Sequence, residues 1–282
     1  MRILIVGCRG MLGTDLMHAF SGPDVAGLDL SEIDITDPDQ CIARTEEFRP
    51  EAVINAAAFT RVDDCETNRE QAFRVNGEGA GNLSRAAAAV GALFVHYSTD
   101  YIFNGRKKGA YLEEDEPDPQ SVYGKSKLLG ETLIRRQCPD HLILRTSWLF
   151  GQNGPNFIRT ILGAAQKGAP LRVVNDQRGS PTYSKDLALQ TVRMMDAGCR
   201  STYHVSNGGA CTWFELASRA LEWAGMPHIP VAPVSTLEFP RPAPRPANSV
   251  LANARLRREG LPLMRPWWEA AREYVLSISN RP

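Results

Sequence analysis

Apolar residues arrive in short blocks along this chain, separated by longer segments with a helical rhythm. Ile3-Leu4-Ile5-Val6 opens the series, and Val25-Ala26-Gly27-Leu28 follows. Next come residues 52–58, residues 92–97 and residues 142–150. Unbroken apolar runs of this length predict strands buried on both faces. Between them, residues 14–20, 72–90 and 122–134 repeat their apolar positions every three or four residues and predict helices. Alternating strands and helices predict an α/β fold, a doubly wound parallel sheet of Rossmann type with ligands at the carboxyl ends of its strands. Beyond residue 150 the pattern changes. Gly, Pro and Asn cluster at 151–156, a helix over 157–167 precedes a strand over 171–174, and residues 175–182 are turn-rich. A strand over 202–206 is expected to rejoin the main sheet. Residues 151–282 otherwise form a smaller C-terminal lobe over the cleft, with helices over 213–224 and 270–277. The proline-rich stretch 239–246 lies inside that lobe and is expected to be an ordered, extended loop.

The first strand runs into Gly7-Cys8-Arg9-Gly10-Met11-Leu12-Gly13. A strand, a glycine turn and a helix in that order make a pyrophosphate site. Backbone N–H groups can approach the anion where side chains are missing, and the helix start adds partial positive charge. Residues 1–150 are therefore expected to be a dinucleotide-binding domain. Asp29, at the end of the second strand, suits the ribose hydroxyls of NAD, whereas Arg9 suits the 2′-phosphate of NADP. The two signals conflict, and the choice between NADH and NADPH stays open. Asp34-Ile35-Thr36 either lines the adenine pocket or caps the next helix, with Pro38 in its first turn. Small residues Ala57 and Ala58, then Phe59 and Thr60, leave room for a flat ligand beside the backbone.

The chemistry concentrates between Ser98 and Lys127. Ser98-Thr99-Asp100-Tyr101 ends a strand, and Tyr123-Gly124-Lys125-Ser126-Lys127 opens a helix that Ser121 can cap. Tyr123 and Lys127 then lie one turn apart on one face. A free phenol, with a pKa of about 10, is a poor acid at neutral pH. A nearby ammonium lowers that pKa, so the phenol can give and recover a proton. The hydroxyl of Thr99 can polarise the same substrate oxygen. Such a set reduces a carbonyl beside a hydride donor. His96 reads as a core histidine, and Tyr97 either flanks the nicotinamide or simply packs.

Composition narrows the picture without redirecting it. Of 282 residues, 43% are apolar; Lys plus Arg and Asp plus Glu are both 32, so formal net charge is zero. No basic run invites nucleic acid, and no apolar stretch is long enough for a membrane span. The six cysteines show no metal-ligand or Cys-x-x-Cys spacing. Free thiols in a reducing cytoplasm are expected.

With these motifs in place the chain resembles the extended short-chain dehydrogenase/reductases, and within them the dTDP-4-dehydrorhamnose reductase family over nearly its whole length. Carrying segments are Asn55 through Asp63, Ser98-Thr99-Asp100-Tyr101-Ile102-Phe103, Val122-Tyr123-Gly124, Arg145-Thr146-Ser147-Trp148, Asn175-Asp176-Gln177-x-Gly179-x-Pro181-Thr182 and Arg245-Pro246-x-Asn248-Ser249. The resemblance implies NADPH- or NADH-dependent reduction of the C4 keto group of a dTDP-4-dehydro-6-deoxy-L-sugar. It implies that Thr99, Tyr123 and Lys127 are catalytic, and that Asp100 and Trp148 also touch substrate. Gly10, Met11, Leu12, Asp29, Asp34, Ile35, Ala58, Phe59, Thr60 and Tyr97 would touch the dinucleotide, as would Tyr123 and Lys127, the latter at the nicotinamide ribose. Leu30 departs from relatives that carry a basic residue there. Some members bind Mg²⁺ through carboxylates at a homodimer contact, but no motif in this chain assigns those ligands. Two rival readings stand beside the reductase. One is a nucleotide-sugar epimerase or dehydratase, against which Tyr101 stands where a dehydratase needs a second acid. The other is a regulatory subunit, against which all three catalytic types are present.

Overall fold

The computed structural model describes residues 1–279. Strands β1 (Ile3–Val6), β2 (Val25–Leu28), β3 (Ala52–Asn55), β4 (Leu93–Thr99), β5 (His141–Thr146) and β6 (Ser201–His204) form one six-stranded parallel sheet in the order β2-β1-β3-β4-β5-β6. Chain direction reverses its march between β1 and β3, so a crevice opens there at the carboxyl ends. Register lines those ends up. Val6 lies opposite both Leu28 and Asn55, and Asn55 lies opposite His96. Gly7, Asp29 and Ala56 therefore leave the sheet at one level, while β4 runs on to Thr99.

Alternation along the strands explains the unbroken apolar runs. Ile3, Ile5, Ile54, Val95 and Leu144 pack on one face with Leu12, Leu16, Leu187 and Met194. Leu4, Val6, Val53, Phe94 and Ile143 pack on the other with Leu83, Ala87 and Ile134. The four inner strands β1, β3, β4 and β5 are covered on both sides, as the doubly wound expectation requires, while the edge strand β2 is half-buried. A third core holds the C-terminal lobe together, with Phe150, Ile158, Leu171, Tyr183, Leu216 and Tyr274 among its members. The lobe is not the whole of the second half. Helix Ser184–Asp196 returns to the sheet, where Leu187 and Ala188 join the first core, and β6 extends the sheet beside β5 as expected.

Three elements differ from the sequence expectation. The run 52–58 stops being strand at Asn55, because the Asn55 side chain accepts the Ala57 N–H at 3.0 Å and turns the backbone away. The run 142–150 breaks after Thr146: Trp148 sits at φ 47°, and Leu149–Phe150 pair instead with Thr182–Tyr183. The helix over 72–90 is interrupted by a π-helical stretch, Arg74–Gly79, between Arg69–Phe73 and Ala80–Ala89. Such stretches often mark functional sites, and this one carries Asn76. The loop 239–246 is ordered: Ala243 is buried, and its N–H meets the carboxylate of Asp63, which also pairs with Arg245. Among the described residues, no helix is long and apolar enough to cross a membrane.

Candidate active site

At the glycine turn that follows β1, function rests on the backbone. Gly7 has φ 81°, and a Cβ there would come within 2.6 Å of the Ala57 amide as β3 leaves the sheet. At Gly13 a Cβ would fall 1.9 Å from the Gly7 carbonyl, so the helix Met11–Ala19 sits against the turn only because that atom is missing. Gly10 caps this helix without a side-chain bond, leaving its first amides free for an anion. These features fit a dinucleotide pyrophosphate. A cleft of about 830 Å³ continues from the turn, bordered by Gly7, Gly10, Asp29, Asp34, Ile35, Ala57, Ala58 and Phe59. Asp37, rather than Asp34 or Thr36, caps the next helix, accepting the N–H groups of Asp39 and Gln40 with Pro38 in the first turn. Asp34 and Thr36 are thereby left to the cleft.

The catalytic floor is made of the buried side chains of Thr99, Asp100 and Lys127 and the half-buried Tyr123. Ser121 accepts the Gly124 N–H at 3.1 Å and starts the helix Val122–Gln137. Gly124 lets that helix approach, since a Cβ there would lie 2.2 Å from the Tyr101 carbonyl. Lys127, 2% exposed, donates to the Tyr97 carbonyl at 2.6 Å and contacts His96 Nε2 at 3.2 Å. Burial lowers its pKa to about 8, against the opposing pull of Glu131. Burial likewise drives His96 well below its usual value, and the Lys127 charge adds to that, so the imidazole is neutral. The phenol of Tyr123 is pushed up by burial, which the Thr99 hydroxyl opposes, rather than lowered by Lys127 as the spacing suggests, because Lys127 spends its bonds on Tyr97 and His96; the Tyr123 ring meets Tyr101 edge-on at 5.5 Å. Thr99 donates to Asp100 Oδ1 at 3.1 Å and accepts from the Tyr101 N–H. Asp100 is pushed up to about 6 by burial, which the Ser249 and Thr99 hydroxyls oppose. Its Oδ2 is buried with no hydrogen bond of ordinary length.

Trp148 closes the lobe side. Its ring stacks on Trp213 with centroids 3.5 Å apart and planes 7° apart. Gly179 supports the ring, because a Cβ there would lie 2.3 Å from it. The left-handed backbone at Trp148 is thus held by packing on the ring.

Thr99, Asp100 and Tyr123 lie together at the end of β4, with Lys127 bonded to the Tyr97 carbonyl two residues before Thr99. Two dinucleotide candidates sit differently. Tyr97 buries its ring in the core and ties its hydroxyl to Thr191 at 2.8 Å, so what it turns to the site is its carbonyl. Leu12 likewise puts its side chain into the core. Met11 faces Gly151 and Gly154, and Thr60 is exposed at the start of the loop after Phe59. Sequence reasoning missed Asn76, which bonds both the N–H and the carbonyl of Phe59 and also Ser126, joining the cofactor loop to the catalytic helix. It missed Trp213, whose spacing reads as plain core. It also missed Glu131, fully buried beneath the site, which accepts from Arg145 at 2.8 Å.

Sheet order, glycine turn and Tyr-x-x-x-Lys pair define a Rossmann-type short-chain dehydrogenase/reductase. Residues 1–279 match the family model described as RmlD substrate binding domain, and the chain belongs to that family. It is 41% identical over 281 residues to the spore coat polysaccharide biosynthesis protein SpsK of Bacillus subtilis, covering 99% of this chain and 98% of the relative. A dTDP-4-dehydrorhamnose reductase from Clostridium acetobutylicum superposes with a TM-score of 0.96 at 38% identity, over 99% of each chain. One from Bacillus anthracis, solved in complex with NADP, superposes with a TM-score of 0.94 at 37% identity, over 98% of this chain and 99% of that one.

Proposed function

We propose that this chain is an NAD(P)H-dependent reductase of the C4 keto group of a dTDP-4-dehydro-6-deoxy-L-sugar, converting dTDP-4-dehydrorhamnose to dTDP-L-rhamnose. The observation that supports the reading is the Thr99 hydroxyl set against the Tyr123 phenol at the end of β4, with Lys127 one helical turn further on and bonded to the Tyr97 carbonyl. Residues 1–150 with β6 hold the dinucleotide, and residues 151–282 mainly hold the sugar. Gly7, Gly10, Met11, Leu12 and Gly13 cradle the pyrophosphate through backbone groups. Asp29 takes the adenosine ribose, Asp34 and Ile35 border the adenine, and Ala57, Ala58, Phe59 and Thr60 flank the chain of the cofactor. A bound dihydronicotinamide supplies the hydride.

Tyr123 gives its phenolic proton to the oxygen that becomes the C4 hydroxyl. Thr99 turns its hydroxyl from Asp100 to the same oxygen. The Lys127 ammonium offsets the cost that burial places on a Tyr123 phenolate and donates to the nicotinamide ribose. Asp100 accepts from a sugar hydroxyl beside the Thr99 and Ser249 hydroxyls, which gives its Oδ2 a bond of ordinary length. Trp148 lies along the apolar face of the sugar. Cytoplasmic residence and a homodimer belong to the same proposal. The test is the loss of NADH or NADPH absorbance with dTDP-4-dehydrorhamnose as oxidant; oxidation of neither donor overturns the reading.

A further inference from the structure

Asp29 and Arg9 pull the cofactor choice in opposite directions, and their surroundings decide between them. The Asp29 carboxylate borders the cleft and is aimed by two amides: Arg9 N–H reaches Oδ2 at 2.8 Å and Leu30 N–H reaches Oδ1 at 2.9 Å. The guanidinium of Arg9 is taken up elsewhere. Its Nη2 pairs with Glu32 Oε1, and its Nη1 donates to Ser31 Oγ at 2.8 Å. Glu32 is in turn anchored, since its Oε2 accepts the Asp29 N–H at 2.9 Å. Bonds from Ser31, the Asp29 N–H and Arg9 hold the Glu32 carboxyl below the usual range, so it stays ionised at neutral pH. Asp29 thus faces the cleft with a second carboxylate and one engaged cation directly behind it. At Leu30, 78% exposed, no second cation is offered.

We propose that Glu32 sets the dinucleotide preference of this chain: by holding Arg9 it leaves Asp29 alone to read the adenosine ribose, and so selects NADH over NADPH. The cations that border the cleft itself, Arg69 and Arg74, come from the opposite wall, where Arg74 bonds Thr36 Oγ1 at 3.2 Å. Their neighbours include Glu70 and Asp34. The proposal rests on the dinucleotide reading of the cleft, not on the sugar chemistry.

Direct titration of NADH and NADPH onto the sugar-free protein, by calorimetry, tests it without any turnover. Wild type is expected to bind NADH about tenfold more tightly, slightly more than one like-charge contact is worth in bulk water. Glu32→Gln should strengthen NADPH binding about fivefold, the most that an exposed ion pair of this kind resists, and leave NADH within twofold. In Glu32→Gln/Arg9→Ala the gain should vanish. Equal or tighter NADPH binding by wild type overturns the proposal and assigns the phosphate to the Arg69–Arg74 wall. A selective loss of NADPH binding in Arg9→Ala alone also overturns it, because Arg9 would then already read the phosphate. Should neither dinucleotide bind, the proposal falls together with the dinucleotide reading.

Discussion

Between Gly7 and Gly13 the chain offers amides and empty space, while between Ser98 and Lys127 it offers polar side chains taken out of water. The first region gets its function from what is absent: side chains at Gly7 and Gly13 would collide with neighbouring backbone. The second gets its function from groups that are costly to bury and are held by remote partners, such as Lys127 by Tyr97 and Glu131 by Arg145. A backbone site binds without discriminating finely. A buried side-chain site can tune protons, at the cost of depending on its supports. Perturbations should therefore separate the two: binding should fail at one end and turnover at the other.

The largest separation is expected from Tyr123→Phe. Removing the proton donor should lower kcat by about 10²–10⁴, the usual worth of a positioned acid. Dinucleotide affinity, measured by titration, should change less than about twofold, since the phenol adds nothing to the pyrophosphate cradle. Normal turnover in this variant would dissolve the contrast.

Glu131→Gln tests the supports. Glu131 is fully buried, and its Oε1 and Oε2 accept from Arg145 at 3.0 and 2.8 Å. Burial alone would raise its pKa, but the charges and hydrogen bonds of Arg145, then Arg135, outweigh that and hold it at about 2. The folded value lies below the ordinary 4.5, so its contribution is fully present above pH 4.5 and is lost as pH falls toward 2. Breaking the pair leaves Arg145 unpaired and should cost about 3–5 kcal/mol. Acid unfolding followed by circular dichroism should also begin at higher pH in the variant.

At the glycine turn the contrast can be sharpened within one loop. Gly13→Ala places a Cβ 1.9 Å from the Gly7 carbonyl, whereas Gly10→Ala places one at 3.3 Å from the same atom. The first forces backbone apart and should cost about 1–3 kcal/mol in stability, with weakened NADH binding. Gly10→Ala should retain near-normal stability. Equal effects would mean that the turn is looser than the packing implies.

The same contrast governs what could be read from the chain alone. β1, the glycine turn and the helix after it follow one another locally, so their spacing carries the site. Tyr123 and Lys127 are likewise four residues apart, and their cap Ser121 is adjacent. Asn76, Glu131 and Trp213 are different. Each acts on a group far away in sequence, through packing that no periodicity records. Glu131 lies on the predicted helix but looks like any solvent-facing glutamate. Trp148 was legible only through family resemblance, since the backbone reversal that aims it is set by Gly179 and Trp213. Strand ends were misjudged for a local reason: Asn55 bends its own chain by a side-chain bond that an apolar run does not announce.

Trp213→Leu should produce a smaller effect, confined to the sugar. Without its stacking partner, Trp148 keeps Gly179 behind it but loses the face that holds its left-handed backbone. An aromatic pair of this kind is worth about 0.5–1.5 kcal/mol, so kcat/KM for the sugar should fall by up to about tenfold. Trp213→Phe should restore most of it, and NADH binding should not move. A weakened NADH titration would place Trp213 in the general stability of the fold instead.

The smallest effect is a matter of protons, and the two ends of the cleft should differ in it as well. Gly7, Gly10 and Gly13 carry nothing that titrates, so dinucleotide binding through them should vary little across neutral pH. The floor carries two groups moved into that range. Asp100, pushed up to about 6 by burial, must lose its proton to accept from a sugar hydroxyl, so activity should fall as pH drops through 6. Lys127, lowered to about 8 by burial, must keep its proton to favour the phenolate, so activity should fall as pH rises through 8. His96 cannot supply either limb, because it is already neutral well below its usual value. A plot of kcat/KM against pH is thus expected to be bell-shaped, halved at each limb and flat between. Asp100→Asn should remove the acid limb while leaving the alkaline one in place. Loss of both limbs together would mean that the two groups titrate as one unit, and that the floor is a single proton-sharing network extending through Thr99 and Tyr123.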